Sequence, residues 1–166
     1  MDKRAIILVI MQNIAGYIHK SLLKTGKTIA TAESCSGGIL SGLLTQYSGS
    51  SRYFILGVIT YSNQAKVNIL KIPASTIAKK GAVSKETASL MAKNIRRIAK
   101  TDLGIGITGI AGPTGATPGK PLGTVFIAVT NKNKTICTKF NFQGNRSSIR
   151  KQSALKSLQL LKHILK

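Results

Sequence analysis

Residues 28–38, Thr-Ile-Ala-Thr-Ala-Glu-Ser-Cys-Ser-Gly-Gly, decide how the chain is read. Thr28 to Ala32 is a short β-branched run, the pattern of a strand. Ser34 to Gly38 is a polar turn, and Ile39, Leu40, Leu43 and Leu44 then fall on one face of a helix that starts there. A strand, a small polar turn and a helix in that order belong to an α/β fold, and the turn lies where such folds place a ligand. It also puts Ser34, Ser36, Gly37 and Gly38 at a helix N-terminus, where free N–H groups and the dipole favour an anion.

Working outward, an amphipathic helix precedes this unit over Ala5 to Lys24, closed by Gly26. After it, Tyr47 to Ser51 is a turn cluster, Phe54 to Tyr61 a buried strand and Lys66 to Leu70 helical, with Pro73 as punctuation. Ser84 is the expected N-cap of a further helix, with Glu86 in its first turn and Ala88, Met91, Ile95 and Ile98 inward. Leu103 to Thr108 reads as a strand whose two glycines admit close approach of another backbone or a ligand. Residues 109–121 hold three prolines and four glycines and cannot be regular structure. Leu122 to Thr130 and Thr135 to Phe142 form a hairpin across Asn131 to Lys134, and a last helix covers Ser147 to Leu165. The alternation followed by a hairpin predicts a three-layer α/β/α sandwich with a mixed sheet, one domain over residues 1–166.

Lys and Arg number 25 against 4 acidic residues, a net charge of +21. Such a charge suits a polyanion or an anionic small substrate. The basic residues form no long run and there is no Trp to stack on bases, so a Lys-rich composition explains the charge better than a nucleic-acid footprint. Cys35 and Cys137 stand far apart and spell neither a zinc site nor a disulfide framework, which points to a reducing, cytoplasmic setting. No segment reads as a membrane span.

Several spellings carry no weight. Gly104-Ile-Gly-Ile-Thr-Gly109 matches the dinucleotide pattern, but two glycines lie inside a strand and Pro113 stands where a helix must begin. The Gly119-Lys120 pair lacks the rest of a phosphate loop. His19 and His163 lie in the terminal helices, and four scattered carboxylates supply neither a triad nor a metal cage. If the protein is an enzyme, its chemistry therefore falls to Ser, Tyr and Lys. A lysine acting as base must drop from about 10.4 to roughly 7 or 8, a differential of about 4 kcal/mol that burial and neighbouring positive charge can supply.

The segments TAESCSGG (31–38), GSS (49–51), TYSNQAK (60–66), GAVS (81–84), GIAGP (109–113) and PLGTV (121–125) together resemble the CinA C-terminal domain family, in that family's order and over nearly the whole chain. The resemblance implies a mixed-sheet α/β/α fold and a nicotinamide-nucleotide amidase, which hydrolyses the carboxamide of nicotinamide mononucleotide to nicotinate mononucleotide and ammonia with no metal or cofactor. By motif it implies Ser51 as nucleophile with Tyr61 and Lys66 as relay and base. Thr108, Gly109, Gly112 and Arg146 join Ser34, Ser36, Gly37 and Gly38 in binding, and Glu33 is a candidate for the ribose or cationic ring, its alternative being a pairing with a lysine. Relatives suggest a homodimer, and many carry a larger nucleotide-pyrophosphatase-like domain ahead of this one. Gln64 and Asn145 stand where the family has acids. Two other functions stay open: a competence-associated protein binding nucleic acid, and a nucleotide-binding protein without turnover.

One distance speaks against the implied triad. A straight strand from Phe54 to Tyr61 puts those residues about 23 Å apart, too far for Ser51 to meet Tyr61 unless the chain folds back, Gly57 bends it, or a neighbouring subunit supplies the partners. Without such a device Ser34 and Ser36 are the next nucleophiles.

Overall fold

The computed structural model describes residues 3–165. Five strands form one sheet in the order β2-β1-β3-β4-β5: β1 (Ile29–Glu33), β2 (Phe54–Ile59), β3 (Leu103–Gly109), β4 (Thr124–Thr130) and β5 (Thr135–Asn141). β1 runs parallel to both β2 and β3, while β4 and β5 return antiparallel, so the sheet is mixed. Every residue of β1 is buried, because helices cover it on both faces.

One layer consists of α1 (Lys3–Thr25), α2 (Ile39–Thr45) and α6 (Arg146–Ile164). Met11, Ala15, Ile18 and Leu22 of α1 recur at helical spacing and sink into a core shared with Leu40, Leu44, Leu158 and Leu161. Burying each of the larger of these contributes roughly 1.5–3 kcal/mol. The other layer holds α4 (Ala74–Lys80) and α5 (Lys85–Ala99), with α3 (Asn63–Asn68) at the sheet end between the β2 strand and α4. Met91 and Ile95 of α5 pack with Ala30, Ala32, Leu70 and Ile72.

The glycines of β3 explain the spelling that mimics a dinucleotide motif. A Cβ on Gly104 would stand 2.3 Å from the Ala92 carbonyl oxygen, and one on Gly106 would stand 2.4 Å from that of Ala88. They let α5 press directly on the sheet.

Several expectations are revised, beginning with burial: β2 is an edge strand that leaves Ile55 and Ile59 exposed rather than buried, and Ile98 of α5 faces outward rather than into the core. The strand from Phe54 ends at Ile59 and the helix after it begins at Asn63, because Ser62 caps it by accepting from the Ala65 N–H at 3.0 Å. Pro73 does not merely interrupt the chain; it opens α4, where its missing N–H costs nothing. Over Ile6–Thr25, α1 has the length and apolarity of a membrane span, against the reading that no segment approaches one. Its inward stripe nevertheless docks on the chain's own core.

Candidate active site

Because β1, β2 and β3 are parallel, their carboxyl ends open on one side of the sheet, the place where α/β folds gather ligand-binding loops. A cavity of about 310 Å³ lies there, with Ser34, Tyr61, Lys66, Thr108, Gly112 and Arg146 among its lining.

Lys66 is the centre of this cavity's chemistry. It sits in α3, one residue past the Ser62-capped turn, and is 2 % exposed. Its Nζ donates to the Thr60 carbonyl at 2.9 Å and the Tyr61 carbonyl at 3.3 Å, and stands 3.1 Å from Ser34 Oγ. A neutral amine has two N–H groups and one lone pair. As placed, Nζ donates to both carbonyls and to Ser34 Oγ, so loss of one proton with the carbonyl bonds kept would turn the lone pair to the serine hydroxyl. Burial pushes the Lys66 ammonium below the usual lysine range, with the neighbouring Cys35 acting weakly the other way. Geometry and burial thus place an easily deprotonated amine within hydrogen-bond distance of the Ser34 hydroxyl.

Ser34 follows β1 directly and begins the turn to α2. The Gly37 N–H donates to the Ser34 carbonyl at 3.1 Å, and Gly37 and Gly38 take φ of +60° and +94°, values that glycine adopts without strain. Beneath the turn lies Glu33, fully buried. One carboxylate oxygen accepts from Ser36 Oγ at 2.7 Å, Gly38 N at 3.0 Å and Leu40 N at 3.3 Å; the other accepts from Ser41 N at 2.8 Å and Ser41 Oγ at 2.6 Å. From the far side Arg150 of α6 donates through Nε and Nη2 to the Ser36 carbonyl at 3.2 and 3.1 Å, and through Nη2 to the Gly37 carbonyl at 3.4 Å. Between Ser34 and Ser36, burial pushes the Cys35 thiol up to about 12, which keeps it protonated.

Arg146 closes the opposite wall. Its guanidinium donates to the Gly112 carbonyl at 2.8 Å and to the Tyr61 hydroxyl at 2.6 Å. Since Tyr61 accepts that bond, its own O–H remains available to a group in the cavity. Thr108, also in the lining, donates to the Ala82 carbonyl at 2.8 Å.

The structure thus brings together Ser34, Tyr61, Lys66, Thr108, Gly109, Gly112 and Arg146 of the residues singled out in sequence. It does not bring Ser51. That residue is exposed on a single 3-10 turn, Ser50–Arg52, before β2, whereas Tyr61 and Lys66 follow β2. The strand between is about 17 Å long and the chain does not fold back, so Ser51 lies at the opposite end of the sheet. Nor is Glu33 free for a ligand, because both of its oxygens are occupied beneath α2, and among the described residues no lysine pairs with it. Ser36 points at Glu33 and is fully buried, and Gly37 and Gly38 form the back of the turn. The helix entrance expected to take a ligand's anion takes the Glu33 carboxylate instead. Arg150 escaped notice, its only sequence signal being the four-residue spacing from Arg146 on one helix face.

Residues 11–165 match the model of the CinA C-terminal domain. A CinA-like protein of Syntrophotalea carbinolica is 45% identical over 154 residues, which are 93% of this chain and 37% of that protein. The chain spans about a third of the length of the curated relatives it matches. A crystal structure of a competence/damage inducible protein from Agrobacterium tumefaciens superposes with a TM-score of 0.92 at 31% identity, covering 95% of this chain and 96% of that one. A competence damage-inducible protein A from Klebsiella pneumoniae gives 0.90 at 30% identity, covering 93% and 96%.

Proposed function

Since the chain belongs to the CinA C-terminal domain family, we propose that it is a nicotinamide-nucleotide amidase in which Ser34, not Ser51, is the nucleophile. The observation that carries this reading is the 3.1 Å approach of the buried Lys66 Nζ to Ser34 Oγ inside the cavity. A serine next to a desolvated amine is an activated nucleophile that needs no histidine.

In this mechanism neutral Lys66 takes the proton of Ser34 as Oγ attacks the carboxamide carbon. The C–O bond forms and the carbonyl electrons move onto oxygen, where the free Tyr61 O–H can donate to it. Collapse breaks the C–N bond, and the proton held on Lys66 passes to the departing nitrogen, releasing ammonia. Water, deprotonated by the same lysine, then attacks the seryl ester; the C–Oγ bond breaks, Lys66 returns its proton to Ser34 Oγ, and the acid leaves. The lysine acts directly on the serine, because Nζ meets the Tyr61 carbonyl and not its hydroxyl. Arg146 and the loop at Gly112 supply donors for the phosphate at the cavity's open side.

The test is ammonia release from nicotinamide mononucleotide by pure protein, compared with Ser34→Ala and Ser51→Ala. Activity in the wild type and Ser51→Ala, with none in Ser34→Ala, is expected. Absence of ammonia from the wild type overturns the amidase reading, and full activity in Ser34→Ala overturns the nucleophile.

A further inference from the structure

Arg150 is a charged side chain with an unusual set of acceptors. Its three donated bonds go to two backbone carbonyls of one turn, those of Ser36 and Gly37. The one ion pair among the described residues is elsewhere, between Lys80 and Glu86. The guanidinium lies against the turn's backbone, where a Cβ on Gly37 would stand 2.8 Å from Arg150 Nη2.

The same turn is held from below by the opposite charge. Glu33 collects its donors, Ser36 Oγ and the Gly38 N–H, while Arg150 collects its acceptors. Ser36 is therefore gripped at its side chain by a carboxylate and at its carbonyl by a guanidinium. The grip passes to Ser34 through one bond, from the Gly37 N–H to the Ser34 carbonyl. Rotating the peptide between Ser36 and Gly37 breaks that bond and moves Ser34 relative to Lys66. One turn earlier on the same face of α6, Arg146 holds Gly112 and Tyr61, so a single helix face spans both walls of the cavity.

We propose that Arg150 is a positioning residue that, working against Glu33, holds the Ser34–Gly38 turn so that Ser34 Oγ faces Lys66 Nζ. This rests on the reading of Ser34 as nucleophile, but not on the identity of the substrate. It concerns geometry and not folding: Arg150 touches neither substrate nor reacting atoms, and acts through the turn.

A fluorophosphonate probe tests it without nicotinamide mononucleotide. Ser34 Oγ attacks phosphorus, a P–O bond forms, the P–F bond breaks, fluoride leaves and the serine proton goes to Lys66. The rate of Ser34 labelling, read by mass spectrometry, is compared among the wild type, Arg150→Ala, Arg150→Gln, Arg150→Lys and the exposed control Lys151→Ala, alongside kcat and KM for the nucleotide.

Misplacing a reacting group by about 1 Å costs about 10²-fold. Labelling and kcat are therefore expected to fall together by about 10–100-fold in Arg150→Ala and Arg150→Gln, with KM unchanged. Arg150→Lys recovers part of the loss, and millimolar guanidinium chloride, well below denaturing concentrations, restores Arg150→Ala. If Arg150→Ala fails to fold, Arg150→Gln and Arg150→Lys give the same reading. Arg150 variants that label as fast as a reactive wild type overturn the positioning role alone. So does a loss that only follows a lowered melting temperature and is not restored by guanidinium or by lysine. A wild type that neither labels at Ser34 nor releases ammonia overturns the serine reading, and the positioning role falls with it.

Discussion

Two turns of this chain are close in composition, Ser34-Cys-Ser-Gly-Gly38 and Tyr47-Ser-Gly-Ser-Ser51, and they differ in which end of a strand they adjoin. The first follows β1 and the second precedes β2; because these strands are parallel, the turns lie at opposite ends of the sheet. At the carboxyl end, residues that follow β2 and β3 converge on Ser34, and α6 adds Arg146 and Arg150. At the amino end, Tyr47 alone reaches a distant element, its hydroxyl donating to the Gln12 carbonyl at 3.0 Å, and the serines bond locally: Ser50 N to the Tyr47 carbonyl at 3.2 Å and Ser50 Oγ to that of Thr45 at 3.3 Å. A serine becomes reactive through what distant elements deliver to it, not through the glycines and serines beside it.

The largest effect that can break this contrast is at Ser34. Ser34→Ala removes the attacking oxygen and leaves the turn's backbone bonds in place, so ammonia release is expected to fall by at least about 10⁴-fold with little change in stability. Loss of less than about tenfold would show that the two turns do not differ as the geometry says.

Lys66→Met is expected to cost activity almost as heavily, and it adds a signature in pH that Ser34→Ala lacks. The folded state lowers the Lys66 pKa from 10.5 by burial, so between the lowered value and 10.5 the unfolded chain binds more protons than the folded one. Stability contributed at this position is therefore poorest at low pH, rises as pH passes upward through that window, and levels off above 10.5. Thermal melts of wild type and Lys66→Met across this range should show the wild type gaining on the variant as pH rises. Parallel curves would mean that the amine is not desolvated.

Glu33→Gln probes the support beneath the turn. Replacing one acceptor oxygen by an NH₂ group faces a donor toward N–H and O–H donors already there, at a cost of about 1–3 kcal/mol for the groups left unsatisfied. Melting temperature and kcat should both fall, kcat by about tenfold through displacement of Ser34, while KM stays near its wild-type value. A variant with raised KM and unchanged kcat would return Glu33 to the substrate-binding role first expected of it.

The fold was legible because local signals and burial agree. Ser84 caps α5 by accepting from the Thr87 N–H at 3.1 Å, and the hairpin turns at Asn131 to Lys134 as its polar residues require. The residue types of the site were legible too, since few acids and histidines leave Ser, Tyr and Lys. Its partnerships were not. Sequence gives no register between strands, and only the parallel pairing of β1 with β2, Glu33 beside Ile59, carries Lys66 to Ser34 and leaves Ser51 behind. Arg150 belongs to a helix whose link to the turn spans 114 residues, a contact that helical spacing does not encode. Glu33 looked like a ligand group because an isolated acid in a basic chain stands out, whereas its burial under five donors is a tertiary fact.

The smallest expected effect is the one that sharpens the contrast most. Ser51 is exposed, next to Arg52 on a turn whose side-chain hydrogen bonds come from Tyr47 and Ser50. Surface substitutions away from buried polar groups, caps and strained backbone usually stay within about 0.5 kcal/mol. Ser51→Ala should therefore leave the melting temperature, the fluorophosphonate labelling of Ser34 and kcat/KM within about twofold of wild type. A loss comparable with that of Ser34→Ala would require Ser51 to reach the cavity, and with β2 extended between them only a residue from a second copy could do so. Mixing Ser34→Ala with Ser51→Ala subunits would then restore activity if each copy lends the other its missing serine, and would leave it absent if both serines must lie in one chain.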